Sequence, residues 1–156
     1  MIVSDATALI ALINIEAFDL LERFTGRLIL PPEVYHEVTR RPHARLFLDQ
    51  KIDEGFVTVR DYEDRQLFRE INYILDAGES AAITLAIETG LPLIIDERKG
   101  RIFARAQGVE IIGLVGILRY LYVEGRLGKT ETEEIIAQLN ASDFRISSEL
   151  LRWILA

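Results

Sequence analysis

Four acidic residues stand where their side chains could hold a metal ion. Asp5 directly follows the apolar segment IVS, and Asp96 directly follows PLII. Glu37 lies in PPEVYHEV, after the apolar segment RLILP, and Glu79 adjoins Gly78 at the start of ESAAITLAIETG. Clustered carboxylates repel one another unless a cation lies among them, and hard divalent cations prefer oxygen ligands. If the fold brings these acids together, Mg²⁺ or Mn²⁺ binding is the chemistry that they support.

Each of these acids also has a simpler explanation. Asp5 can cap a helix that begins near Thr7, and Asp96 can cap the following helix in the same way. Glu79 would favour the positive end of its helix, and Glu37 would be a solvated surface residue. Three further acids can join the set or serve in turns and caps; they are Asp61, Asp76 and Glu97.

Short apolar segments alternate with helical patterns along the chain. The predicted strands are 2–5, 27–31, 56–61, 92–96 and 109–113. The predicted helices are 7–24 in two pieces, 31–41 with Pro32 in the first turn, 43–55, 63–78 ending at Gly78, 79–90, 97–108, 114–127, 129–142 and 146–156. Apolar strands that alternate with helices indicate a parallel sheet covered on both faces. We expect one α/β domain over residues 1–156, a three-layer α/β/α sandwich with a central parallel sheet.

The position of the four acids matters because of this fold class. In parallel α/β sheets, functional groups collect in the crevice beyond the carboxyl ends of the strands. Asp5 and Asp96 each end a predicted strand, and Glu37 lies early in a helix that follows one. Capping does not require carboxylates to share one edge of the sheet, so the metal hypothesis gains weight for the set as a whole.

Composition excludes several other classes of protein. The 156-residue chain is 49% hydrophobic and 28% charged, as expected of a folded domain. It has no cysteine and two histidines, which excludes thiolate zinc sites and disulfides and disfavours a histidine zinc site. We see no membrane span and no signal peptide at MIVSD, so we expect a cytoplasmic protein.

The acids and their order resemble the PIN-domain family, metal-dependent nucleases that include the VapC-type toxins. The resemblance covers nearly the whole chain and rests on IVSDAT, PPEVYHEV, GESAAITLA and LIIDERKGR. The stretches GVEIIGLVGIL and SDFRISSELLRWIL are most similar to a little-characterised PIN-like branch. The chain departs from the family pattern in three places. Ala6 follows the first Asp where Thr or Ser is frequent, Glu79 replaces a common Asp, and LIIDERKGR lacks the Thr-x-Asp-x-x-Phe pattern.

The resemblance implies a ribonuclease that hydrolyses RNA phosphodiester bonds with Mg²⁺ or Mn²⁺. Asp5, Glu37, Glu79 and Asp96 would be its catalytic and metal-binding residues, and they are supported by Thr7 and Glu97. It also implies a homodimer, and, if the protein is the toxin of a toxin–antitoxin pair, a small antitoxin partner.

Binding of RNA requires positive charge, because much of the affinity comes from Lys and Arg contacts to phosphates. The net charge of −7 argues against a generally basic surface. Two local basic clusters remain, RRPHAR and ERKGRIFAR. The second begins beside Asp96, so Arg98, Lys99 and Arg101 are the candidate nucleic-acid contacts. A solvated helix face is the alternative interpretation of this cluster.

Three alternatives to a ribonuclease stay open. The altered motifs are compatible with a PIN-like module that binds RNA or protein without cleavage. A phosphoacceptor α/β domain would need a Lys directly at the end of a later strand, and the residues that stand there are Glu97 after PLIID and Gly113 after VEII. A Rossmann-type nucleotide site would need a glycine-rich turn after IVSD, and that turn is absent.

Overall fold

A computed structural model describes all residues, 1–156. Its five strands are β1 Ile2–Ser4, β2 Leu28–Leu30, β3 Val57–Val59, β4 Leu93–Ile94 and β5 Ile111–Ile112. They form one parallel sheet in the order β3-β2-β1-β4-β5, as the continuous apolar segments predicted. With helices on both faces, this is the predicted three-layer α/β/α sandwich.

Helices connect and cover the strands. They are α1 Ala6–Asn14, α2 Asp19–Phe24, α3 Pro32–Val38, α4 Pro42–Asp53, α5 Arg65–Asn72, α6 Ala77–Thr89, α7 Arg98–Ala106, α8 Leu114–Val123, α9 Lys129–Ala141 and α10 Ser148–Leu155. The prediction of one helix over 63–78 is wrong at its end, because α5 stops at Asn72. Asp76 then caps a new helix, and Gly78 lies inside the first turn of that helix. Glu79 therefore does not open α6 but is its third residue.

The core packs around the sheet and α6. A single cluster of 42 buried apolar residues runs through the molecule, and we therefore propose one domain over residues 1–156. Residues 78–86 of α6 are all buried, as expected of a helix that has neighbours on every side. Its buried hydroxyls are satisfied within the helix, since Ser80 Oγ donates to Asp76 O at 2.6 Å and Thr84 Oγ1 donates to Ser80 O at 2.8 Å. This central helix carries Glu79 into the interior.

The chain reverses its direction of winding at β1, which lies between β2 and β4. Such a switch point opens a crevice at the carboxyl ends of the strands. Asp5 lies there, and its backbone N–H donates to Ile94 O at 2.9 Å, which ties it to the end of β4. None of the helices is both long and apolar enough to cross a bilayer.

Candidate metal centre

Three carboxylate oxygens surround the backbone of Gly78, the second residue of α6. A Cβ placed on Gly78 would lie 2.9 Å from Glu37 Oε2, 3.5 Å from Asp5 Oδ1 and 3.7 Å from Asp76 Oδ1. These acids come from α3, the end of β1 and the start of α6. The fold thus brings together acids that are distant in sequence, and a side chain at position 78 would displace the Glu37 carboxylate from this point.

Asp5 is the most deeply buried of these acids, with 4% of its surface exposed. It occupies the N-cap position of α1, yet its side chain makes no capping hydrogen bond. The pKa of Asp5 is raised from 3.8 to about 7. Burial is the largest cause, the neighbouring N–H of Ala6 lowers the pKa, and the charges of Glu79, Asp76 and Glu37 also raise it. The structure therefore does not support the simple capping role for Asp5.

Glu79 and Asp76 are joined by a capping box at the start of α6. The Glu79 N–H donates to Asp76 Oδ1 at 2.8 Å, and the Asp76 N–H donates to Glu79 Oε2 at 3.3 Å. Burial raises the pKa of Glu79 to about 7, and the charge of Asp76 raises it too, while the Asp76 N–H lowers it. The charges of Glu97 and Glu37 contribute in the same direction as burial.

Glu37 is half-buried on α3, which packs against α6. Burial raises its pKa, the charge of Asp76 raises it further, and the charge of Arg40 lowers it. Arg40 lies three residues after Glu37, is exposed and forms no ion pair with an acid. It lies just beyond the end of α3, and its charge acts on Glu37.

Asp96 occupies a different side of the sheet edge. Its Oδ1 accepts a hydrogen bond from the Leu114 N–H at 3.0 Å, so it binds the first residue of α8 and not the start of α7. Burial raises the pKa of Asp96, and the Leu114 N–H and the Arg101 charge lower it. The described partners of Asp96 are therefore Leu114 and Arg101, and no acid of the cluster around Gly78 is among the causes of this pKa shift.

The remaining predicted residues divide between the site and the surface. Glu97 is exposed at the N-cap position of α7, and its charge raises the pKa of Glu79. Thr7 is exposed and lines a groove with Asn14 and Ser142, away from the acids. Arg98 and Lys99 are exposed. Asp61, another acid at a strand end, pairs instead with Arg65 at the surface.

Arg101 makes a contact that the sequence did not predict, and Asp76 combines the two roles that the sequence offered for it. Arg101 turns back to donate to Ile95 O at 2.8 Å, so this guanidinium is partly held by the fold. Asp76 belongs to the acidic cluster as well as to a cap. The signal for Asp76 was its spacing, since an acid three residues before Glu79 is the pattern of a capping box.

The residues of the cluster fit a divalent cation in their chemistry. All donors are carboxylate oxygens, which suit Mg²⁺ or Mn²⁺, and three of them face one point beside Gly78. No three acidic or histidine side chains are yet close enough to ligate an ion as they stand. Binding would therefore require these carboxylate side chains to change rotamer and move closer together around the ion.

The single parallel sheet with helices on both faces is consistent with the α/β/α fold of a PIN domain. The PIN domain family model DUF3368 matches residues 1–156, and the chain belongs to this family. PIN domains are generally nucleases that use divalent metals. No curated protein matches the chain.

Proposed function

We propose that this protein is a divalent-metal-dependent ribonuclease whose ion, Mg²⁺ or Mn²⁺, is held by Asp5, Glu37 and Glu79. The observation that carries the proposal is the convergence of carboxylate oxygens of Asp5 and Glu37 around Gly78, the residue directly before Glu79. Asp5 adds to it, because a buried carboxylate without a capping bond has little structural use. A cation relieves the repulsion among these acids and the penalty of burying them.

The chain's own residues divide the work of such a centre. Asp5 and Glu37 would bind the ion directly, and the capping box with Asp76 holds Glu79 in place beside them. The charge of Glu97 raises the pKa of Glu79, so Glu97 lies within electrostatic reach of these acids. The bound ion would make hydroxide available from water near neutral pH and stabilise charge on the attacked phosphate.

The sequence predicts Asp96 as a fourth ligand of the metal ion. Its bond to the Leu114 N–H directs one carboxylate oxygen toward α8. Its Oδ2 is buried and has no hydrogen-bond partner. We therefore propose that Asp96 acts from the neighbouring wall of the crevice, and metal binding by the Asp96→Asn variant distinguishes the two roles.

The proposed substrate is RNA, which the exposed cations around the centre would contact through its phosphates. Arg40 lies near Glu37, and Arg98 and Lys99 begin the helix after Glu97. The toxin role, with an antitoxin partner, the homodimer and the cytoplasmic location stay predictions that we add to this proposal.

A second candidate function is a PIN-like module that binds RNA without cleavage. It is favoured by one observation, that no three acids stand in ligating positions. In that case the raised pKa values of Asp5 and Glu79 would mean that the acids carry protons near pH 7 and need no ion.

Calorimetric titration with Mn²⁺, paired with an RNA cleavage assay on the same samples, separates the two functions. We expect the wild type to bind and cleave, Asp5→Asn to lose both, and Asp96→Asn to keep binding. The matched control is Asp61→Asn, which changes a strand-end acid that pairs at the surface with Arg65. Absence of Mn²⁺ binding by the wild type contradicts the nuclease proposal, and binding without cleavage favours the RNA-binding module.

A further inference from the structure

An exposed aromatic ring lies between α5 and α6, in the segment that leads to the acidic cluster. Tyr73 is 92% exposed, more than any other large apolar side chain, and Ile74 beside it is 61% exposed. Tyr73 takes part in none of the aromatic pairs of the fold. Single exposed apolar side chains are common on folded proteins, so the position of this ring decides what it can do.

The backbone around Tyr73 is anchored on both sides. Ile71 and Leu75, two residues before and two residues after it, are buried in the core. The N–H groups of Ile74 and Leu75 donate to Ile71 O at 2.9 Å and 3.0 Å. Asp76 then caps α6. The ring is therefore presented to solvent by a segment whose backbone the fold holds in place.

The acidic cluster reaches solvent close to Tyr73. Asp5 and Glu79 are buried, whereas Asp76 is exposed and Glu37 is half-buried. Tyr73 lies three residues before Asp76, so their Cα atoms are at most about 11 Å apart, since consecutive Cα atoms are separated by about 3.8 Å. A strand that brings a phosphate to the acids past Asp76 therefore comes within reach of this ring.

An unpaired cation lies next to the ring. Arg69 precedes Tyr73 by four residues, and Tyr73 retains helical backbone angles, φ −68° and ψ −24°, at the end of α5. Residues four apart on a helix are neighbours on its surface. Arg69 is exposed and forms no ion pair, whereas Arg65, one turn earlier, is paired with Asp61. A flat ring and a free guanidinium thus share one face of α5.

We infer that this face binds single-stranded RNA, with a base stacked on Tyr73 and a neighbouring phosphate on Arg69. Proteins hold single strands by stacking bases on aromatic side chains and by placing cations along the backbone. The inference rests on the proposed ribonuclease function, because it names where that substrate is held. The free cation and the nearby centre for phosphodiester chemistry favour a nucleic-acid strand over a protein surface. Tyr73 and Arg69 are binding residues here, and the acids remain the catalytic ones.

Anisotropy of fluorescein-labelled RNA measures this binding without cleavage. The full chain is titrated in EDTA at low salt into oligoadenylate, oligouridylate and an RNA duplex of the same length. We expect Tyr73→Ala to weaken the binding of both single strands about tenfold, because stacking tolerates any base. Duplex binding should not change, because the bases of a duplex are already stacked on one another. Tyr73→Phe keeps the ring and should bind single strands like the wild type.

Arg69→Ala tests the phosphate contact. It should reduce the slope of log affinity against log salt by about 0.7, the value for one phosphate on a single strand. Arg27→Ala is its matched control, since Arg27 is an exposed arginine without an ion pair just before β2, at the opposite end of the sheet. Leu46→Ala is the control for Tyr73→Ala, because Leu46 is 77% exposed and lies on α4. Unchanged melting temperatures would show that all variants are folded.

Four outcomes would overturn the inference. They are absence of single-strand binding by the wild type, undiminished binding by Tyr73→Ala, equal losses for single strands and duplex, and a change in sedimentation of Tyr73→Ala that makes this face a contact between copies of the chain.

The nuclease proposal fails or succeeds separately, because these titrations contain no metal. Cleavage with Mn²⁺ at an unchanged KM in Tyr73→Ala would keep the nuclease and remove the role of Tyr73. Single-strand binding that depends on Tyr73, in a chain that does not bind Mn²⁺, would keep this RNA-binding face and remove the nuclease.

Discussion

Replacing Asp5 with Asn is expected to stabilise the metal-free protein while it abolishes metal binding. Burial raises the pKa of Asp5 from 3.8 to about 7, so at pH 8 the folded protein must hold a buried negative charge. Each pKa unit corresponds to about 1.4 kcal/mol, which makes the full difference worth roughly 4 kcal/mol of unfolding free energy. Asn is close to the same shape and carries no charge, so it removes most of this penalty.

The sign of the pH dependence follows from the direction of the pKa change. An acid whose pKa is higher in the folded state binds more protons when folded, so stability falls as pH rises. For Asp5 the favourable contribution is complete below about pH 4 and is lost as pH rises through about 7. The gain in stability of Asp5→Asn should therefore be small at pH 5 and larger at pH 8, with a difference of about 2 kcal/mol or more.

Urea unfolding in EDTA at the two pH values measures this effect, with Asp61→Asn as the exposed control. Addition of Mn²⁺ should reverse the order of stability, because an ion that binds only the folded state stabilises it, and Asp5→Asn cannot respond. The reasoning is refuted if Asp5→Asn is less stable than the wild type at both pH values in EDTA. That result would make Asp5 a structural residue.

Three further changes test other parts of the site. Gly78→Ala places a Cβ 2.9 Å from Glu37 Oε2; since Ala is favoured over Gly in helices by about 1 kcal/mol, the fold should persist while Mn²⁺ affinity falls at least about tenfold by calorimetry. Asp96→Ala leaves the Leu114 N–H without its acceptor and should lower the unfolding free energy by about 1–2 kcal/mol, whereas Asp96→Asn should not, as chemical denaturation will show. Removing Arg98 or Lys99 should weaken RNA binding uniformly across sequences and reduce the slope of log affinity against log salt by roughly 1 each; an unchanged slope would exclude them from the interface.

The strands were predictable because each is a short apolar run that alternates with helical patterns, and burial on both faces of a parallel sheet leaves that signature. The end of α5 at Asn72 was not predictable in this way. The segment from Glu63 to Gly78 continues an amphipathic pattern, and Gly78 resembles a stop signal. In the structure, the reciprocal bonds of Asp76 and Glu79 start a new helix at Ala77, four residues after Tyr73, so local capping outweighs the apolar periodicity.

The sequence predicts which edge of the sheet carries the acids, but it does not predict which side of that edge each acid faces. The strand-end rule placed Asp5, the helix after RLILP supplied Glu37, and the start of the helix before PLIID supplied Glu79. Asp96 and Glu97 are consecutive residues beyond the two-residue strand β4, and consecutive extended residues point to opposite sides. Nothing in LIIDERKGR says which of the two faces the acids. The structure sends Asp96 to Leu114 and brings Glu97 within electrostatic reach of Glu79.

Helix capping and the proposed metal binding, which the sequence offered as alternatives for these acids, are compatible at the start of α6. Asp76 and Glu79 satisfy backbone N–H groups there, and both lie within the cluster that raises the pKa of Asp5. The N-terminal end of a helix carries a partial positive charge that stabilises nearby anions. The same end therefore offsets part of the repulsion among the carboxylates before any ion binds. A capping box is thus a means of keeping several acids close together in the folded chain, and a divalent cation would supply the charge that the helix end alone cannot.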